Sequence, residues 1–224
     1  MKKNMCFIVG CAMAVLLLFG ACGQNGTPEL KLESKEYPKN EIFGNLFGIK
    51  YQQYRNDSII KAWYSDRIDE LEAEMIGKEV EQTRQQYDNL KKKRDEDLNK
   101  QYEKSAALFK IENELILGKK IPFEMEEGLG YAVAYLRVND ISDEGYVNLY
   151  CAISVLDSTL TENNRYPILN CELLDSKGNV IKNLSFDNIV SVDIYYMHYL
   201  NPMGVNNKDA YKYFDFAKVR FINK

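Results

Sequence analysis

The side chains best suited to chemistry are few and scattered. His198 is the only histidine, and it stands in the strand-like run Tyr195-Tyr196-Met197-His198-Tyr199. There a face histidine satisfied by a hydrogen bond is the ordinary outcome, and a catalytic base the exceptional one. Cys6, Cys11 and Cys22 lie in or just after an apolar N-terminal run, which leaves Cys151 and Cys171. These two lack the close spacing of a zinc or redox pair, so no metal is expected. Serines and aspartates are plentiful, but no G-x-S-x-G elbow marks a nucleophile. Phosphate loops and dinucleotide fingerprints are also missing, so no cofactor is expected. Glu124, Glu126 and Glu127 could supply the paired carboxylates of glycoside chemistry. Beside a turn, however, such acids are usually just solvated. The chain does not read as an enzyme.

Binding chemistry is better supplied. Tyr195, Tyr196, Tyr199, Tyr211 and Tyr213 fall late in the chain and could form an aromatic platform for a glycan or an extended peptide. Cross-strand aromatic pairs also stabilise a sheet by themselves, and that structural role is the one favoured. Nucleic acid is an unsuitable partner, because the net charge is -4 and no basic face is concentrated anywhere.

The elements that must position these residues divide in two, giving an α+β fold. Residues 41–118 read as helical. Phe43, Leu46, Phe47 and Ile49 suit a short helix, with Gly44 and Gly48 allowing a close neighbour such as the Trp63 region. Asp57 or Ser58 is a candidate cap for a longer helix. From Lys78 to Leu117 there is no Pro or Gly, a length of roughly 60 Å as helix. Gly118, two lysines and Pro122 then mark the stop. Charge alternates along this stretch, as in Asp88/Lys92 and Glu96/Lys100. Its thin apolar stripe predicts a rigid spacer, with a weak self-associating coiled coil or an intramolecular hairpin as alternatives. Residues 121–224 read as short strands; Leu149, Cys151 and Ile153 share one face, and so do Leu169, Cys171 and Leu173. That spacing predicts an antiparallel, immunoglobulin-like sandwich able to fold alone as Pro122–Lys224.

The N-terminus opens with Lys2-Lys3, continues in an apolar run from Met5 to Phe19, and closes on Gly20-Ala21-Cys22. This is the three-part pattern of a secretion signal. Leu18-Phe19-Gly20-Ala21-Cys22 resembles the lipobox of bacterial lipoproteins. The resemblance implies a signal peptide over 1–21, acyl chains on Cys22 and stable membrane anchoring. Residues 22–40 then form a flexible tether. Gly23, where an Asp would retain such proteins in the inner membrane, points to the periplasmic face of the outer membrane. Asp57-Ser58-Ile59 and Asp157-Ser158-Thr159 resemble a bacterial O-glycosylation acceptor, which makes Ser58 and Ser158 candidate sites; a helix cap and a turn are the plainer readings. An oxidising compartment makes a Cys151–Cys171 disulfide possible, against two buried thiols. The functional expectation is a lipid-anchored envelope protein that binds or scaffolds a protein partner without catalysis. Glycan or small-ligand binding through the Tyr-rich strands is the alternative. A structural spacer, like the major outer-membrane lipoprotein that also ends in Lys, is another.

Overall fold

The structure is a computed structural model describing residues 29–76, 81–160, 167–191, 195–200 and 208–223, with only the backbone of 188–191 and 195–200. The signal segment and Cys22 therefore lie outside the described residues. Lys31–Lys224 form one compact unit.

Two long helices come first, α1 (Leu46–Met75) and α2 (Glu81–Ile116). Helix α1 runs straight through Asp57 and Ser58, so neither is a cap. Ser58 Oγ instead donates to the Tyr54 carbonyl one turn back, 2.8 Å away, a bond that a mid-helix serine can make without ending the helix. At the true start the Asn45 side chain makes no capping bond. The Asn45 N–H donates 2.9 Å to the Glu112 carboxylate of α2, so an acid from another element satisfies the positive helix end. Further pairs link Asn56 to Gln101, Tyr64 to Asp97 and Tyr87 to Glu72. As one number rises the other falls, so the helices are antiparallel.

The expected spacer is thus a hairpin. A straight helix of this length would carry the chain outward, but α1 and α2 run back along each other. Gly44 explains part of the close approach: it sits at φ +54°, and a Cβ there would collide with Glu112. The neighbour that Gly44 admits is therefore α2, not the Trp63 region.

Eight strands follow: β1 (Phe123–Met125), β2 (Tyr131–Ile141), β3 (Val147–Val155), β4 (Leu169–Asp175), β5 (Val180–Phe186), β6 (Asn188–Ser191), β7 (Tyr195–Leu200) and β8 (Phe216–Phe221). They form two four-stranded sheets, ordered β1-β8-β4-β5 and β2-β3-β7-β6. All pairs are antiparallel except β1 with β8. Strands β6 and β7 pair with each other as an antiparallel ribbon. Before β1, the chain at 118–121 hydrogen-bonds along β2, with Gly118 and Ile121 donating to Val138 and Leu136. Immediately afterwards Val219 donates to the Pro122 carbonyl. Residues 118–126 are therefore a strap lying on an edge of both sheets.

One core joins both sheets to the near ends of the helices. Leu136, Val138, Leu149 and Cys151 from one sheet and Leu169, Cys171, Val219 and Phe221 from the other join a single cluster of buried residues. Phe43, Leu46, Phe47 and Ile49, with Phe109 and Ile116 of α2, belong to the same cluster. The boundary expected between 118 and 121 divides the helices from the strands in sequence but does not divide the packing.

Asn40 fastens the lead-in of α1 to the last strand. It is 6% exposed. Its Oδ1 accepts from the Ile42 and Phe43 N–H groups at 2.9 and 3.0 Å. Its Nδ2 donates to the Phe216 carbonyl at 2.8 Å and to the Phe214 carbonyl at 3.2 Å. Asn40→Ala strands these buried backbone groups and is expected to lower stability by about 2–4 kcal/mol. The check is a lower urea midpoint at unchanged slope.

Candidate functional site

The five tyrosines weighed as a platform fall on two different elements. Tyr195, Tyr196 and Tyr199 lie on β7, at backbone positions opposite Ala152, Cys151 and Asn148 of β3; His198 is opposite Leu149. Tyr211 and Tyr213 are not on a strand. They lie on the 3-10 turn Ala210–Tyr213. Ala210 and Tyr213, three apart, fall on one side of such a turn, and both are buried, while Tyr211 is 51% exposed.

The remaining candidates do not gather into one site. Cys151 and Cys171 are free, buried thiols on opposite sheets. Of the two readings weighed, the structure has the buried thiols; the chain crosses between sheets, so the two cysteines are not hairpin neighbours. Burial pushes the Cys151 thiol up to about 12 and raises that of Cys171 as well, which leaves little thiolate to react at neutral pH. Ser58 and Ser158 are exposed, and Asp157 accepts two bonds from Thr159 in a local turn. Glu124 pairs with Lys218 and Arg220, and Glu126 accepts from the Asn223 N–H, so these acids knit strands together. Among the described residues no three His, Cys, Asp or Glu side chains converge as a metal site would require.

A different aromatic cluster has formed. Tyr51 of α1 is its centre, with ring centroids 5.3 Å from Tyr37, 6.3 Å from Tyr54, 6.0 Å from Tyr211 and 6.3 Å from Phe214. Tyr37, Tyr51, Tyr54 and Phe214 are half-buried and Tyr211 is exposed. Charged groups rim the cluster. Arg55 pairs with Glu33 at 2.9 Å, Lys212 pairs with Asp209 at 3.0 Å, and Lys35 Nζ stands 5.5 Å from the Tyr37 ring centre. The bond from Arg55 lowers the Glu33 carboxyl pKa. Burial, with the Glu33 charge beside it, raises the Tyr37 hydroxyl pKa.

Two amides of α1 hold the N-terminal segment in place. Gln52 Oε1 accepts from the Lys35 N–H and Gln52 Nε2 donates to the Glu33 carbonyl, both at 2.9 Å. Asn56 Oδ1 accepts from the Glu33 N–H at 2.9 Å. Gly48 permits the approach, because a Cβ there would lie 3.0 Å from Tyr37 Cβ. So the part of the expected tether around 33–37 is docked. Tyr51 and Tyr54, three apart on a helix, were the sequence signal for this surface; Tyr37, in a stretch without periodicity, carried none.

Between the docked segment, α1 and α2 lies a cleft of about 140 Å³. Asn45, Gln53, Gln101, Lys104 and Ser105 line it along with Tyr37. A shallower groove, bounded by Arg67, Glu70, Gln86 and Lys93, runs between the helices farther out. No protein-family model, curated protein or solved structure matches this chain.

Proposed function

We propose that this protein is a lipid-anchored envelope lipoprotein that recognises a protein partner without catalysis, and that the Tyr51 cluster is the surface it uses. The observation that carries the reading is the cluster itself. Aromatic rings with an arginine at the rim, partly open to solvent, have the composition of interface anchors. The anchor rests on the N-terminal pattern ending at Cys22. No helix among the described residues is long and apolar enough to cross a membrane.

The strand order supports an immunoglobulin-like reading of the sandwich. The sheet β2-β3-β7-β6 follows the A-B-E-D order of that fold, and β4 and β8 sit as its C and F strands do. The place of the last strand, G, is taken by β1, the first strand in sequence, which runs parallel to β8. The helical hairpin supports an arm more than a linear spacer. Before Ser105, α2 has no buried residue among those described, so the far half of the hairpin is covered chiefly by itself.

The experiment is photo-cross-linking in cells from position 211, which is exposed and at the edge of the cluster. A discrete protein adduct in the membrane fraction is expected, and it should disappear with Tyr54→Ala. In the Cys22→Ser variant the protein should leave that fraction. An adduct indifferent to Tyr54, or none at all, would overturn the assignment.

A further inference from the structure

The cleft beside the docked segment has a chemistry of its own. Ser105 is 6% exposed, and its hydroxyl makes no hydrogen bond among the described residues. Gln101 uses Oε1 to accept from Asn56 at 3.2 Å, which leaves its Nε2 to spare. The Gln53 amide also has no partner among the described residues. A closed wall would normally satisfy such groups internally; these residues instead line one space. These three side chains are neutral, and between them they can both donate and accept.

That selects among ligands. An anion would want charged donors or free backbone N–H groups. Here the N–H groups of Glu33 and Lys35 are already taken by Asn56 and Gln52. Glu33, which also lines the cleft, is already paired with Arg55, and Lys35 and Lys104 are both exposed, where water competes for their ammonium groups. A neutral molecule bearing hydroxyls on adjacent carbons fits better, since each hydroxyl donates and accepts at once. Tyr37 and Leu108 add apolar wall for the carbon–hydrogen face of such a molecule. The volume, about 140 Å³, admits something the size of one sugar ring.

We infer that this cleft is a saccharide subsite taking a single sugar residue, with Gln53, Gln101 and Ser105 as its hydrogen-bonding groups. This goes beyond recognition of a protein at the Tyr51 cluster, and the two can fail separately.

The test is saturation-transfer NMR on the detergent-solubilised full chain. The probes are glucose, galactose, mannose and N-acetylglucosamine at millimolar concentration, with inorganic phosphate as competitor. Transfer to the ring protons of at least one sugar is expected. Ser105→Val and Gln101→Leu should each weaken it by about tenfold, while Tyr211→Ala should leave it unchanged. Gln53 is only half-buried, so Gln53→Leu decides the matter if the Ser105 variant fails to fold. Absence of transfer from all four sugars, transfer unaffected in the folded variants, or displacement by phosphate would each overturn the assignment.

Discussion

Expressed without the helices, residues 122–224 are expected to stay unfolded. Phe43, Leu46, Phe47, Ile49, Phe109 and Ile116 all lie in the core shared with the two sheets. Burying one such side chain is worth about 1.5–3 kcal/mol, so removing six forfeits roughly 9–18 kcal/mol. That is an upper figure, since unfolded chains already hide some apolar surface. It still matches or exceeds the net stability of an ordinary domain, about 5–15 kcal/mol. The truncated chain also loses the Asn40 bonds that hold the segment before β8. Collapsed proton chemical shifts and no cooperative melt are the expected result, against a cooperative melt for the chain from Lys31 onward. A cooperative transition in 122–224 alone would mean that the helices contribute little to the core.

The second large effect concerns Lys50, a buried lysine on α1 that is 1% exposed. Its ammonium stands 5.3 Å from the Tyr146 ring centre and 6.0 Å from that of Phe109. Gly145, at φ +75°, closes over it, and a Cβ there would strike both Lys50 and the Phe109 ring. Burial lowers the Lys50 pKa to about 8, with the nearby Glu144 charge opposing the shift. Between about 8 and the usual value near 10.4, the unfolded chain holds a proton that the folded chain has given up. Stability therefore rises with pH across that window, by about 3 kcal/mol for a shift of this size. Tyr37, Tyr64 and Tyr213 have raised pKa values and pull the other way above about 10. Comparison with Lys50→Met isolates the lysine. The variant should be more stable than the parent at pH 7 by about 2–3 kcal/mol, and its urea midpoint should not climb between pH 8 and 10. A parallel climb in both proteins would show that Lys50 keeps its proton throughout.

Much of this architecture was legible from period and punctuation. The alternation of Leu169, Cys171 and Leu173 marked a buried face because a strand repeats every two residues, and all three are buried. Gly118 and Pro122 marked the end of α2 for local steric reasons. What stayed hidden depends on contacts distant in sequence. Asp57-Ser58 has good capping chemistry, yet α1 passes through it because Ile60, Tyr64 and Ile68 continue the buried face toward α2. On α2, Leu108, Ile111 and Leu115 read as part of the apolar stripe but are exposed, whereas Phe109 and Ile116 reach the core. Only the placement of the sheets decides which side of that helix is covered. The Tyr51 cluster was hidden in the same way, since it joins residues from three stretches, 37, 51–54 and 211–214.

The strap at 118–126 bears on solubility. A bare sheet edge is a row of unpaired backbone groups that invites another chain to add itself. The strap seals one such row on each sheet. Of the two rows left, β6 is only four residues long, and β5 carries Lys182 at its middle, both of which discourage strand addition. Edge-to-edge stacking of sheets into fibres is thereby discouraged.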